Sequence, residues 1–152
     1  ISKPPEERAM DVRHVAVSCP DAEQLIPMAE QLEAMFPDAQ IDPHLLRHIM
    51  VNLLGNALKY SPPDSQVTCR AAADGERLHL SVSDRGIGIP AADLPRLFES
   101  FHRGTNVGNI QGTGIGLHIV KECVSLHCGT IDVDSQPGAG TTFHVYLHAP
   151  VV

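Results

Sequence analysis

The sequence predicts an α+β domain in which helices cover one face of a largely antiparallel sheet. Three observations carry that expectation: short segments of alternating apolar residues recur along the chain, two longer segments have one apolar stripe at helical spacing, and the last two alternating segments face each other across a tight turn.

Residues 1–10, with Pro4-Pro5 and mixed charges, read as a linker or flexible N-terminus, and residues 11–152 as one domain. A short strand is expected over Val12–Ser18 and a helix near Asp21–Phe36. A second helix starts at Asp42-Pro43, with Asp as the cap and Pro in the first turn, and stops at Ser61-Pro62-Pro63. Between them Leu46, Ile49, Met50, Leu53, Leu54 and Ala57 recur at three-and-four spacing, which makes the helix amphipathic with those six facing a core. Strands follow near Gln66–Ala72 and Leu78–Ser83, then a short helix over Ala92–Phe98. A helix running from Gly114 to Leu126 ends at Cys128-Gly129, and Gly129–Ser135 pairs with Thr141–His148 as a hairpin.

Three boxes carry chemistry. On the second helix His48, Asn52, Asn56, Lys59 and Tyr60 share the stripe opposite the core. Solvated helix faces are usually rich in Glu, Lys and Arg. Two neutral carboxamides beside a Lys and a Tyr suit a site that needs oxygen ligands, such as magnesium shared with substrate phosphates, with Lys59 meeting phosphate as a point charge. The second box, Asp84-Arg85-Gly86-Ile87-Gly88-Ile89-Pro90, follows a strand; its glycines allow a ligand near the backbone, and Asp84 can accept a hydrogen bond from an exocyclic amine. The third, Gly112-Thr113-Gly114-Ile115-Gly116-Leu117, opens a helix whose bare N–H groups attract phosphate. Before it, the small and polar residues between Phe101 and Gln111 read as a lid. No Gly-Lys-Ser/Thr ending is present, which disfavours a P-loop, and the spacing is wrong for a dinucleotide fold.

In this order NLLGNALKYSP, DRGIGIP, LFESFHRG, QGTGIGL and PGAGTTF resemble the ATP-binding catalytic domain of bacterial sensor histidine kinases, over roughly residues 41–149. The superfamily includes type II topoisomerase ATPase subunits, mismatch-repair ATPases and a heat-shock chaperone. The resemblance implies a two-layer sandwich, a mixed, mostly antiparallel sheet under a layer of helices, with ATP and Mg2+ as cofactors. It implies that Asn56 holds magnesium, that Asn52 lies near the phosphates, and that Lys59 and Tyr60 contact phosphate and nucleoside. Asp84 then reads adenine with Gly86, Ile87, Gly88 and Ile89 around the base. Phe98 and Phe101 anchor the lid and Arg103 is directed at the terminal phosphate. Gly112, Thr113, Gly114, Ile115, Gly116 and Leu117 cradle phosphate, and Gly138, Gly140 and Thr142 form the last element. Family members usually have one more strand before the asparagine box, for which Pro37–Ile41 leaves little room.

Within that superfamily hydrolysing members place a Glu one turn before the magnesium asparagine. This chain has Asn52 there, and a carboxamide cannot take a proton from water. Phosphoryl transfer to a protein acceptor, which relies on positioning and electrostatics, is therefore expected over hydrolysis. Asn52 is the candidate catalytic residue, with His48 one turn earlier aimed at the acceptor or the magnesium shell. The alternatives are an ATP hydrolase or clamp and a nucleotide-sensing module without transfer.

None of the nine histidines has the setting of a phosphoacceptor, and the chain begins at Ile1. It is read as the ATP-binding portion of a longer kinase that dimerises through a separate histidine hairpin and serves a response regulator, the fragment alone being monomeric. A net charge of −7 over 152 residues argues against a nucleic-acid surface, and no segment approaches a membrane span. Cytoplasmic placement is expected, with any membrane anchor of the parent in other segments. Cys19, Cys69, Cys123 and Cys128 form no CxxC pair, and His118, Cys123, His127 and Cys128 have poor spacing for a metal.

Overall fold

A computed structural model describes residues 12–18, 40–62, 65–73, 76–99 and 116–150, together with the helical positions 27, 30, 31 and 34. Five strands, β1 (Val12–Ser18), β2 (Gln66–Ala73), β3 (Arg77–Asp84), β4 (Thr130–Gln136) and β5 (Gly140–His148), form one sheet in the order β1-β2-β3-β5-β4. Two helices, α1 (Pro43–Tyr60) and α2 (Gly116–Leu126), pack against each other and on the sheet. This is the expected two-layer α+β arrangement. Most of the expected helix near Asp21–Phe36 lies outside the described residues, as does the proposed linker.

Among the described strands every ladder is antiparallel. The parallel component of the expected mixed sheet is absent there for a topological reason. β3 and β4 run the same way on either side of the α2 crossover, but β5 folds back as a hairpin from β4 and inserts between them. A crossover that would make a parallel pair becomes two antiparallel ladders. Ahead of α1 the N–H of Gln40 donates to the carbonyl of Pro150, just past β5, at 2.9 Å, while residues 37–39, where little room was expected for a further strand, lie outside the described residues.

α1 forms as its sequence dictates. The Asp42 carboxylate accepts from the N–H of His44 at 2.9 Å, occupying an otherwise orphaned donor, with Pro43 beside it. Ser61, in extended conformation before Pro62, ends it. Its buried residues are Leu46, Ile49, Met50, Leu53, Leu54 and Ala57, the six of the apolar stripe. At about 1.5–3 kcal/mol for each fully buried aliphatic side chain, that stripe outweighs any propensity term in holding the helix on the sheet. Asp42→Ala should cost about 1 kcal/mol in urea denaturation, the usual effect of deleting a cap, with the fold retained. An unchanged unfolding midpoint would show that the Asp42 bonds do no capping.

The sheet's two faces follow from period two. Leu78, Leu80 and Val82 of β3 and Phe143, Val145 and Leu147 of β5 are register partners and buried beneath the helices. Cys69 of β2 is buried with them, which pushes its thiol up to about 12 and keeps it a packing residue. On the opposite face His79 stacks on Tyr146 with centroids 4.4 Å apart and meets His144 at 3.0 Å. The expected short helix Ala92–Phe98 is instead a 3-10 segment, Ala91–Arg96, because Pro95 inside it has no N–H for a longer hydrogen-bonded run.

Candidate nucleotide site

Asn52 and Asn56 lie one turn apart on α1, both half-buried, while His48 and Lys59 at the two ends of the stripe are exposed. The Asn52 Nδ2 donates to the carbonyl of His48 at 2.7 Å, which leaves its oxygen directed away from the helix axis. That oxygen meets the start of α2. A Cβ placed on Gly116 would lie 3.1 Å from Asn52 Oδ1 and 3.9 Å from Asn56 Oδ1. Two carboxamide oxygens and the N-terminal end of a glycine-rich helix start, sixty residues apart in sequence, thus share one spot. Both are hard, neutral oxygen donors of the kind magnesium takes. His48 enters this arrangement through its backbone, since its side chain has no described contact with either asparagine. Lys59 sits at the helix end with its Nζ 5.9 Å from the centroid of the half-buried Tyr60 ring.

The first glycine box is clamped from both sides. The N–H of Ile87 donates to the carbonyl of Tyr60, at 3.2 Å, tying the loop to the C-terminal end of α1. On the other side the N–H of Gly138 donates to the carbonyl of Ile87 at 2.7 Å, and the N–H of Ile89 donates to Ser135 Oγ at 2.7 Å. Gly86 and Gly88 permit these approaches: a Cβ would run into the carbonyl of Tyr60 at the first and of Gln136 at the second, where φ is +73°. Asp84, at the end of β3, is left on the helix-covered face beside this loop, with Ile87 and Ile89 half-buried near it. Its carboxylate accepts from the N–H of Gly86 at 2.8 Å. Burial raises its pKa above the ordinary value, while the backbone N–H groups of Gly86 and Thr141 pull the other way without cancelling the effect.

Thr142 faces away from Asp84. Asp84 pairs in register with Thr141, and Thr142 with Ser83. Adjacent residues of a strand point to opposite faces, so Thr142 lies on the side away from α1 and α2, where its hydroxyl is 2.9 Å from Ser83 Oγ. Thr141, 6% exposed, and Ser135 take the places beside Asp84. The signal was present in the sequence: Phe143, Val145 and Leu147 mark the core parity of β5, and Thr141 shares it.

Phe98 is half-buried, meeting Phe143 edge-on at 6.5 Å, and its carbonyl lies 3.2 Å from His118 Nδ1 on α2. Leu117 packs against the core. Phe101, Arg103, Gly112, Thr113, Gly114 and Ile115, with the lid between them, lie outside the described residues, and α2 is described from Gly116. The His118–Cys128 set is dispersed: Cys123 is buried, Cys128 exposed, and His127 Nε2 accepts from the N–H of Asp42 at 3.1 Å. Among the described residues no three His, Cys, Asp or Glu side chains gather as a metal group.

An antiparallel sheet under helices, with the first glycine box tied to the C-terminal end of the asparagine helix and Gly116 set against Asn52, defines a class of nucleotide-binding domain. Residues 41–151 match the family described as histidine kinase-, DNA gyrase B-, and HSP90-like ATPase, and the chain belongs to it as the ATP-binding catalytic domain of a sensor histidine kinase. It is 42% identical over 108 residues to the circadian input-output histidine kinase CikA of Synechococcus elongatus, covering 70% of this chain and 14% of that protein. It is 43% identical over 108 residues to the sensor histidine kinase RcsC of Escherichia coli, covering 70% and 11%. Among solved structures the mycobacterial sensor histidine kinase MprB superposes with a TM-score of 0.69 at 29% identity, over 91% of this chain and all of that one. Full-length ShkA in complex with AMPPNP gives 0.64 at 27%, over 95% and 33%. The chain thus spans little more than a tenth of the length of these two curated relatives. Among the described residues no helix is long and apolar enough to cross a membrane.

Proposed function

We propose that this chain binds ATP with Mg2+ and donates the γ-phosphate to a histidine on a separate dimerisation and phosphoacceptor domain of a sensor kinase, which then serves a response regulator. The observation that carries the reading is the meeting of the Asn52 and Asn56 oxygens with Gly116. Magnesium supplies charge neutralisation of the phosphates when bound, and Asn56 with Asn52 fits it as an oxygen donor set. Asp84 and Thr141 accept and donate at the edge of the base, and Gly116 with the preceding glycines carries phosphate at the start of α2. Transfer is favoured over hydrolysis because no carboxylate stands at position 52 to activate water. AMPPNP in the ShkA complex is in keeping with a triphosphate as ligand.

Incubation with γ-labelled ATP, Mg2+ and the histidine-hairpin domain of the parent tests the proposal directly. Label on the hairpin is expected; free phosphate would point to a hydrolase, and binding without turnover to a sensing module. Gly116→Ala should weaken Mg-ATP binding about tenfold, because its methyl group would press on Asn52 Oδ1 and displace the oxygen by a few tenths of an ångström from where the ligand needs it. Calorimetry showing wild-type affinity in that variant would mean that the α2 start and the asparagines act separately.

A further inference from the structure

The face of the sheet turned away from α1 and α2 carries a titratable cluster that the nucleotide site does not use. His79 of β3 is the register partner of Tyr146, and His144 of β5 that of Ser81, so the two half-buried imidazoles meet on a diagonal between neighbouring strands. His79 Nε2 and His144 Nδ1 are 3.0 Å apart. Tyr146 stacks on His79 with centroids 4.4 Å apart and planes 10° apart, which fixes that ring. On β4, Asp134 places Oδ2 3.6 Å from the other nitrogen of His144, Nε2, and Asp132 is the register partner of His144. A carboxylate there favours the tautomer with its proton on Nε2 and leaves the Nδ1 lone pair turned to His79. Burial, then His144, then Arg77 lower the His79 pKa, which keeps that ring neutral at pH 7.

We propose that His79 and His144 form a binding site for a divalent transition-metal cation of the Ni2+ and Cu2+ type, with Asp134 as the carboxylate behind His144. Imidazole is a ligand that such cations favour, and it binds them only when unprotonated. Metal–nitrogen bonds of about 2.0–2.1 Å set two nitrogens that are 3.0 Å apart at about 90–95° around the metal. That is the cis angle of a tetragonal or octahedral centre, whereas tetrahedral zinc opens it to about 109°. In the metal-free pair the bridging proton belongs to His79 Nε2. Binding moves it to His79 Nδ1 and turns both rings toward a common point, so no proton is released and the cost is one neutral hydrogen bond, roughly fivefold in affinity. Arg70 and Arg77 share this face and oppose a cation, and Asp132 and Asp134 offset them. Among the described residues no three His, Cys, Asp or Glu side chains gather, so water takes the remaining coordination positions, reached past a His144 side chain that is 28% exposed. The bound metal would join β3 to β5 and stabilise the fold by mass action.

The test is calorimetric titration of the 152-residue chain with Ni2+ in saturating Mg2+, which takes oxygen ligands and so occupies the asparagine site instead. One Ni2+ per chain is expected, with the urea midpoint rising as it binds. His79→Phe, which keeps a ring for Tyr146 to stack on, and His144→Gln should each lower the affinity about a hundredfold, and Asp134→Asn about tenfold. Paramagnetic broadening of the wild-type amide signals should centre on His79 and His144, a measurement that does not depend on any variant folding. Ni2+ affinity that survives either histidine substitution, broadening centred on other histidines, or no heat at millimolar Ni2+ would each overturn the site. None of these outcomes bears on ATP binding, which takes place on the other face of the sheet.

Discussion

Gly88→Ala is expected to be the most damaging single-methyl change in the first glycine box, destabilising the fold by about 3 kcal/mol or more. Two separate effects add. Position 88 has φ +73°, a left-handed conformation that costs a residue with a Cβ about 1–2 kcal/mol. The new methyl would also run into the carbonyl of Gln136, which is backbone and cannot rotate away. Gln136 ends β4, and the turn after it bonds Ile87 through Gly138, so relief of the clash requires opening the clamp on the loop that carries Asp84. Nucleotide binding should fall with stability. Gly138→Ala separates the two causes, because φ there is +78° but nothing lies within 4 Å of the added carbon. That variant should lose only the conformational part, about 1 kcal/mol in urea denaturation. Equal losses at the two positions would show that strain, and not the approach of Gln136, makes Gly88 necessary.

The same contrast explains what the chain disclosed before folding. α1 was legible almost to the residue, since its cap, its stop and its six-residue stripe are local patterns that the core simply uses. The convergence of Asn52 and Asn56 with Gly116 could be named as boxes but not measured, because the distance between residues 52 and 116 is set by how α2 lies on α1. Sheet order was less accessible. Alternation identifies strands, yet nothing local says that β5 inserts between β3 and β4. The final glycine-threonine element names Thr142, while period two from Phe143 sets Thr141 on the face of Asp84 and Thr142 on the other. The contacts of Ser135 stayed hidden because they join three separate positions, of which Ile89 is forty-six residues away. Spacing reveals faces; only the fold reveals which faces meet.

Asp84→Asn should separate ligand affinity from fold stability, moving them in opposite directions. Affinity for ATP is expected to fall about a hundredfold, the order expected when a charge-assisted hydrogen bond is lost and an amide donor is turned toward the exocyclic amine. The folded protein, in contrast, should be as stable or more so at neutral pH. Burial is the leading influence on the Asp84 carboxyl and raises its pKa above 3.8, so the folded state holds this proton more tightly than the unfolded state does. The stability linked to that protonation is fully present below the unfolded pKa and is lost as pH rises through the folded pKa, which means the fold carries the ionised group at a cost at neutral pH. Asparagine keeps an oxygen for the N–H of Gly86 and removes the charge. Acidification of the wild type should mimic the substitution, with ATP affinity falling through a midpoint above 3.8 and the variant showing no such midpoint. Unchanged ATP affinity in Asp84→Asn would refute the base-edge assignment. Lower stability in that variant would mean that the backbone N–H groups of Gly86 and Thr141 favour the carboxylate more than burial opposes it. On the proposed reading, the hydrogen bond from the adenine amine offsets the burial that disfavours this carboxylate.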